Sequence, residues 1–560
     1  MALSIPAFES LHGYRRAWLR PDVIAGLTVW AVLVPEALAY ASIAGVPPVV
    51  GLYAAVPSLV LYALAGSSRH LVVGPMSATA ALSAAVITPL AGADSGRYIA
   101  LTAALAIATG IVGLLAGLVR LGFIAAFISE PVLKGFIVGL ALVIIIGQVP
   151  KLLGVPKHDG NFFTQAWGVV TELGHLQWRT VTVGLISLAL VFALRRWLPF
   201  VPGALVAVLV GIVAVAVFGL EDKGVAIVGH IDAGLPTLGM PSGVSFGDCL
   251  DLLGPAIGVL LIGFAEGLGA AKTYAAKAGY PIDANRELLG LGLANLGSGC
   301  SSGMVVNGSL SKTAVNGGAG AKTQLSGLVV AGLTVVTLLF LTGLFENLPE
   351  ATLAAVVIAA VIELVDIAAL RRLYRVWTHM LASIYGTAAR ADFLAAMAAM
   401  LGVLVFDTLP GLLIGIGAAI VLLVYRASQP HVVELGKEGS LWVAADRHPD
   451  AATRPDVLVV RVESGLFFAN SDYVKDRIEG LCTDRTRMVV LDAETSPSVD
   501  VTAATMLLAL RDTLASRRIR FAIARPIAQF GDALGSAEHG DVPVPIYPTV
   551  AAATAALAGS

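Results

Sequence analysis

The sequence predicts a polytopic α-helical membrane protein with a small α/β domain at its C-terminal end. Three observations carry that prediction. Of 560 residues, 57% are hydrophobic and only 13% charged, against about 25% charged in soluble globular chains. Charges are sparse from Met1 to about Arg426 and frequent after Gln429, so the two parts are built for different solvents. A short polar motif also occurs twice in the apolar part: Gly74-Pro75-Met76-Ser77-Ala78-Thr79-Ala80 and Gly308-Ser309-Leu310-Ser311-Lys312-Thr313-Ala314 both read Gly-x-x-Ser-x-Thr-Ala. A motif repeated once per half is the mark of transporters built from internal repeats.

Taken in order, residues 1–21 hold Arg15, Arg16 and Arg20 with no apolar stretch, as expected of a cytoplasmic segment rather than a cleaved signal. Residues 22–428 form the membrane part. Apolar segments suited to a roughly 30 Å hydrocarbon core fall at 23–42, 49–66, 98–119, 131–150, 180–198, 202–219, 250–270, 324–345, 352–369, 388–406 and 411–426. Three more, at 76–91, 286–299 and 308–318, are short or interrupted by Gly and polar residues. The total is about fourteen spans. Short loops with Arg69, Arg120, Arg195, Arg196, Lys272, Lys277, Arg286, Lys322, Arg371, Arg372 and Arg375 fall on one side, and those with Arg97, Lys151, Lys157, Arg179 and Lys223 on the other. That bias puts both termini in the cytoplasm of a plasma (inner) membrane protein, and Arg371, Arg372 and Arg375 read as an interfacial, lipid-facing run. Seven spans per half is an odd number, so the halves must be inverted in the membrane.

Residues 429–560 alternate strand and helix patterns. Leu441–Val443, Val457–Val462, Met488–Asp492 and Ile519–Ala524 read as strands; Ser471–Leu481, with Ser471 as N-cap, Thr502–Arg518 and 548–558 read as helices. The order indicates an α/β domain.

Composition also excludes. No dense basic patch marks a nucleic-acid surface. Cys249, Cys300 and Cys482 form no CxxC pair, and the nine histidines show no ligand spacing, so neither metal nor cofactor is expected. No nucleophile–base pair suggests an enzyme.

The chemistry concentrates in the repeated motif. Short half-helices inside a membrane leave free backbone N–H groups and partial positive charge at their N-termini, which suits an anion. The candidate binding positions are therefore Ser77, Ala78 and Thr79 in the first element and Ser309, Leu310, Ser311 and Lys312 in the second. Helix packing through small residues is the competing account of the serines. Lys312 resists it, because an intramembrane cation is expensive without a role or partner. Glu36 and Glu266 each lie in a long helix upstream of one motif and are the proton-coupling candidates; a static ion pair of Glu36 with Lys312 is the alternative. Asp283, Asn285, Arg286, Glu287 and Asn295 read as capping and backbone-satisfying groups at a cytoplasmic loop.

These residues resemble a known family. Ala25-Gly26-Leu27-Thr28, Pro35-Glu36-Ala37-Leu38-Ala39-Tyr40-Ala41, Ala44-Gly45-Val46-Pro47-Pro48, Gly51-Leu52-Tyr53 and Gly66-Ser67-Ser68-Arg69 resemble the first two spans of the SulP (sulfate permease) anion transporters. Gly308 to Ala314 with Gly320-Ala321-Lys322-Thr323-Gln324-Leu325-Ser326-Gly327 is similar to the tenth span and following loop, Asn285-x-Glu287-Leu288 with Gly292 and Asn295 to the ninth, and the C-terminal domain to a STAS domain. The resemblance implies two inverted seven-span repeats split into core and gate domains, an anion site between the N-termini of the third and tenth helices, an elevator-like movement and a homodimer. Many relatives carry Arg where this chain has Lys312, and Lys supplies a point charge without a bidentate fork. Glu36 resembles the acidic residue of members thought to be proton-coupled. Thr502 stands near the position phosphorylated in related STAS domains, and reads either as a phosphosite or as a helix N-cap.

The expected activity is therefore secondary transport of a small inorganic oxyanion, with sulfate:proton symport first. Bicarbonate or dicarboxylate uptake, with sodium as the coupling ion, is a second reading. A membrane sensor or scaffold signalling through the STAS domain is a third.

Overall fold

The computed structural model describes residues 7–558 except 93, 124–129, 159, 199–200, 232, 363–364, 366–367, 369–370, 372–381, 407, 528–529, 531, 533 and 535–542. Contacts divide the chain into two compact units, Met1–Ala419 and Ile420–Ser560.

The membrane helices are α1 (Leu19–Ile43), α2 (Val49–Ala65), α3 (Ser77–Ala91), α4 (Ser95–Leu118), α5 (Glu130–Leu153), α7 (Trp178–Trp197), α8 (Gly203–Phe218), α9 (Phe246–Ala278), α10 (Ala284–Cys300), α11 (Leu310–Gly318), α12 (Leu325–Val336), α13 (Glu350–Val361), α14 (Ala382–Phe406) and α15 (Thr408–Ser428). They are the fourteen expected segments. A further short helix, α6 (Phe162–Thr171), sits between α5 and α7; hydropathy alone does not separate it. Arg372 and Arg375 lie outside the described residues, as does part of the segment expected at 352–369.

Packing sorts the helices into two groups, each drawn from both halves. Helices α1–α4 pack with α9–α12, most extensively α4 on α10 and α2 on α10. Helices α5, α7 and α8 pack with α13 and α14, and Gly411 and Gly415 of α15 close onto α14. This four-plus-three division repeats in each half. Small residues allow it: a Cβ at Gly292 of α10 would lie 2.7 Å from the Leu114 nitrogen of α4.

The helices that carry the repeated motif are too short to span alone: at 1.5 Å per residue, α11 covers only about 14 Å and α3 about 22 Å. Each is preceded by a strand, β1 (Val72–Gly74) and β2 (Asn307–Ser309), and the strands pair antiparallel with Val72 opposite Ser309, Val73 opposite Gly308 and Gly74 opposite Asn307. The pairing satisfies backbone groups that lipid could not. It also carries the repeat symmetry: exchanging Gly74 with Gly308 and Val73 with Asn307 turns one rung of the ladder into the next.

The second unit holds a six-stranded sheet of order β4-β3-β5-β6-β7-β8. Its strands are β3 (Val432–Glu438), β4 (Leu441–Ala444), β5 (Val457–Val462), β6 (Met488–Asp492), β7 (Arg520–Ala524) and β8 (Ile546–Tyr547). β5 to β8 are parallel, and β3 runs antiparallel to both β4 and β5. Helices α16 (Ser471–Leu481) and α17 (Val501–Ser516) cover one face through Val474, Ile478, Leu507 and Leu510. Helix α18 (Val550–Ala558) covers the other through Val550 and Ala553. β3 is absent from the sequence reading, because only three residues separate it from the end of the membrane helix.

Two capping expectations fail. Ser471 is the first helical residue; Asn470 precedes it and uses its Oδ1 to accept from the Phe467 N–H. Thr502 is not a cap either, since the side chain of Asp500 accepts from the Ala503 N–H at 2.8 Å. The helix starts at Val501, so Thr502 already lies inside its first turn and Asp500 holds the cap position, where a carboxylate also suits the positive end of the helix dipole.

Candidate functional site

The site forms where β1 and β2 hand over to α3 and α11. The strands cross antiparallel, so the two helices leave their shared ladder in opposite directions with their N-termini close together. Met76, the residue before α3, is extended and supplies no side-chain cap. The first intrahelical bond runs from the Ala80 N–H to the Met76 carbonyl, so the Ser77, Ala78 and Thr79 amides precede it, as helix starts require. On α11, Ser309 caps by accepting from the Lys312 N–H at 3.3 Å. Its hydroxyl also lies 3.1 Å from that of Ser311.

Burial divides these residues. Ser77, Ala78, Thr79, Ser309 and Lys312 are buried, whereas Leu310 and Ser311 are exposed. The Thr79 hydroxyl donates back to the Met76 carbonyl at 3.2 Å, so Thr79 has only its backbone amide to offer. Thr313 Oγ1 accepts from the Val72 N–H at 3.1 Å, binding the start of β1 to α11.

Lys312 is 1% exposed. Its Nζ donates to Glu36 Oε2 at 2.9 Å and to the Pro75 carbonyl at 3.0 Å, and lies 5.1 Å from the centre of the Tyr40 ring. Two of three ammonium donors are thus taken within the protein. The structure therefore joins α1, β1–α3 and α11 through one cation. Pro35, directly before Glu36 inside α1, has no N–H to donate to the carbonyl one turn back. Gly51 of α2 brings the two helices close beside Glu36: a Cβ there would sit 2.0 Å from the Ala37 carbonyl oxygen.

Glu266 is not brought to this pair. No hydrogen bond or ion pair joins it to another described residue, and its buried Oε2 lacks a partner. It lies on α9 between Gly263 and Gly267, the two glycines that receive Asn307 of β2. The Asn307 Nδ2 is also buried without a partner. Asn307, Tyr40 and the Pro75 carbonyl are the site groups that sequence reading missed. Asn307 had a signal, a polar side chain directly before Gly308 in an apolar segment.

The expected scaffold groups do bind scaffold. Asn295 of α10 accepts from the Val306 N–H at 3.0 Å and donates to the Val306 and Leu291 carbonyls. Asp283 caps α10, Asn285 accepts from the Gly122 N–H, and Glu287 takes the Tyr62 hydroxyl at 2.7 Å with the Ser67 and Ser68 amides. Among the described residues no group of His, Cys, Asp and Glu could hold a metal ion.

The sequence matches the Sulfate permease family over residues 19–385 and the STAS domain over residues 448–553. It is 38% identical to a probable sulfate transporter of Mycobacterium tuberculosis, over 93% of this chain and 91% of that one. It is 31% identical to the chloroplastic sulfate transporter 4.1 of Arabidopsis thaliana, over 93% and 77%. The fold is similar to that of the murine Solute Carrier 26 family member A9 anion transporter, with TM-score 0.87 at 21% identity over 99% of this chain and 94% of that one. It also resembles the transmembrane domain of the cyanobacterial bicarbonate transporter BicA, with TM-score 0.61 at 22% identity over 73% and 98%.

Proposed function

The chain belongs to the sulfate permease family, and on that premise we propose that it carries sulfate together with protons. It is a multi-pass membrane protein and a secondary transporter of a small inorganic anion; the identity of the anion and of the coupling ion is the proposal. One observation carries it: the buried cation at the start of α11 is held by a carboxylate, Glu36, at 2.9 Å. An anion arriving at the half-helix N-termini competes with Glu36 for Lys312. Protonation of Glu36 removes the competitor, so anion and proton bind in each other's favour. The backbone amides of Ser77, Ala78, Thr79, Leu310 and Ser311, with the Ser311 hydroxyl, complete the anion's shell. Glu266, whose Oε2 lacks a partner, is the second group open to a proton.

Helices α1–α4 and α9–α12 then move as one body past the rest, carrying a site neutralised by its cargo across a low-dielectric barrier. The protein works as a homodimer, and both its termini are cytoplasmic, an orientation that the Lys and Arg loop bias supports. Thr502 is an exposed hydroxyl in the first turn of α17, where a phosphate would meet the helix dipole favourably.

The test is uptake of labelled sulfate by proteoliposomes with and without an inward proton gradient. The gradient should drive accumulation by the native protein, and Glu36→Gln should keep exchange but lose that response. Accumulation indifferent to both would discard the coupling.

A further inference from the structure

We infer that the two groups of membrane helices turn about one hinge, set between the hydrogen bonds that join Gly229 to Glu346 and Gly234 to Leu338. The inference rests on the group movement proposed above, and on no particular anion.

The chain passes between the groups from α4 to α5, from α8 to α9 and from α12 to α13. The last two crossings lie on the same membrane face, that of Lys223, and they are laced to each other. Ile227 lies opposite Pro349 in an antiparallel bridge. The Val228 N–H donates to the Leu348 carbonyl at 2.9 Å, the Gly229 N–H to that of Glu346 at 3.0 Å and the Glu350 N–H to that of Ala226 at 2.9 Å. Glu350 is the first residue of α13 and Leu348 is fully buried, so this end of the lacing belongs with α8 and α13.

Beyond it both crossings change partners. The Gly234 N–H donates to the Leu338 carbonyl, and the Gly239 N–H to the carbonyl of Cys300 at the end of α10, both at 2.9 Å. Thr337, next to Leu338, is fixed to the other group. Its buried hydroxyl accepts from the Trp30 indole N–H of α1 at 3.0 Å and donates to the Leu333 carbonyl of α12 at 2.9 Å. One rung, Gly229 to Glu346, thus travels with α8 and α13. The next, Gly234 to Leu338, travels with α1, α10 and α12.

The backbone that joins the two rungs is built to bend. Past Val336 the chain does not continue as α-helix: it forms a π turn, Thr337–Leu341, and then a 3-10 turn, Thr342–Phe345. Such stretches break the regular hydrogen-bond ladder and often mark hinges. On the other crossing, Gly229 and Gly234 have φ of 79° and 132°, which side chains disfavour, although a Cβ at either would meet nothing within 4 Å. These glycines therefore answer a backbone demand, not a packing one. Phe340 and Leu344 are 76% and 54% exposed, so neither group grips the bend. The window is also a leash, since from Gly229 to Gly234 the chain reaches at most about 17 Å. Relative motion is therefore least at this face and grows toward the opposite one.

The experiment uses the full chain in proteoliposomes, with Cys249, Cys300 and Cys482 replaced by Ala and nitroxides placed in pairs. One pair marks the hinge face, through Phe218→Cys at the end of α8 and Phe246→Cys at the start of α9. The other marks the opposite face, through Trp197→Cys at the end of α7 and Leu19→Cys at the start of α1. All four positions are exposed, and labelled chain is diluted with excess unlabelled chain. Dipolar distances are compared without added anion and with a saturating mixture of sulfate, bicarbonate and nitrate, so the readout does not depend on the cargo. The change at the opposite face should be several-fold that at the hinge face. Equal changes leave the movement standing and overturn the hinge; no change at either pair in liposomes that carry anion overturns both. Trp30→Phe keeps a ring but has no N–H for Thr337. It should broaden the hinge-face distances and lower flux several-fold at unchanged anion affinity, while Thr337→Ser, which keeps the acceptor, should behave as the native protein. Hinge-face distances unmoved by Trp30→Phe also overturn the proposal.

Discussion

The pair of Glu36 and Lys312 can be broken from either side, and the two sides should cost differently. The Nζ–Oε2 separation is 2.9 Å, with side chains 1% and 9% exposed. Lys312→Met removes the cation and leaves Glu36 buried without a counter-charge, a loss of about 3–5 kcal/mol. Glu36→Gln leaves Lys312 its bond to the Pro75 carbonyl, the Tyr40 face and an amide oxygen in place of the carboxylate. Only the charge-assisted part of one bond goes, about 1.5–3 kcal/mol. The double variant Glu36→Gln/Lys312→Met buries neither charge, and replacing a buried ion pair with groups of similar volume is often neutral. It should therefore be more stable than Lys312→Met alone, and with a neutral double variant the coupling across the cycle is the sum of the single losses, about 4.5–8 kcal/mol. The assay is thermal unfolding of the four proteins in one detergent at one pH, read as the order of apparent midpoints. Single effects that sum to the double within about 0.5 kcal/mol would refute the reasoning, because they would mean that the two charges do not hold each other.

Thr313→Val removes the acceptor for the buried Val72 N–H and should cost about 1–3 kcal/mol; Thr313→Ser should restore most of the melting temperature. Gly51→Ala drives a methyl into the Ala37 carbonyl at 2.0 Å, so α1 must shift beside Glu36, and sulfate flux should fall in proteoliposomes that still contain folded protein. Asp492 is buried and accepts from Arg461 and Arg525 at 2.6–3.0 Å, so Asp492→Ala should destabilise the α/β domain by about 3–5 kcal/mol, measured by limited proteolysis against denaturant. Sulfate uptake should rise as external pH falls, while uptake of a monovalent oxyanion such as nitrate should fall, because it leaves the protonated site with uncancelled charge, which paired flux measurements at two pH values would decide.

The sequence made the membrane architecture legible because a span is a property of composition. Length, hydropathy and the Lys and Arg bias each depend on single residues and the thickness of a bilayer. The paired half-helices were legible because Gly-x-x-Ser-x-Thr-Ala occurs twice. What stayed hidden depends on partners distant in sequence. Sequence offered Glu36 two roles, and only the fold brings it within 2.9 Å of Lys312, 276 residues away. The Pro75 carbonyl is invisible to sequence, since every residue has one. The symmetry also breaks where sequence gives no warning. The Val72 N–H is met by Thr313, but the equivalent Val306 N–H is met by Asn295 from α10 rather than by Thr79. Thr79, read as the twin of Thr313, turns back on its own helix instead.

The charge balance of the proposed site ties anion and proton together. Lys312 contributes one positive charge, and each half-helix N-terminus about half a charge. With Glu36 ionised the sum is about one positive charge, which a monovalent anion cancels without help. With Glu36 protonated the sum is about two, which a sulfate dianion cancels. On this count the proton converts a monoanion site into a dianion site, and only the dianion needs it. Glu266 alters the count only when ionised, and among the described residues no cation is paired with its carboxyl. The barrier between the two helix groups penalises whatever charge is left uncancelled, so the same residue that competes for Lys312 also selects which cargo can cross.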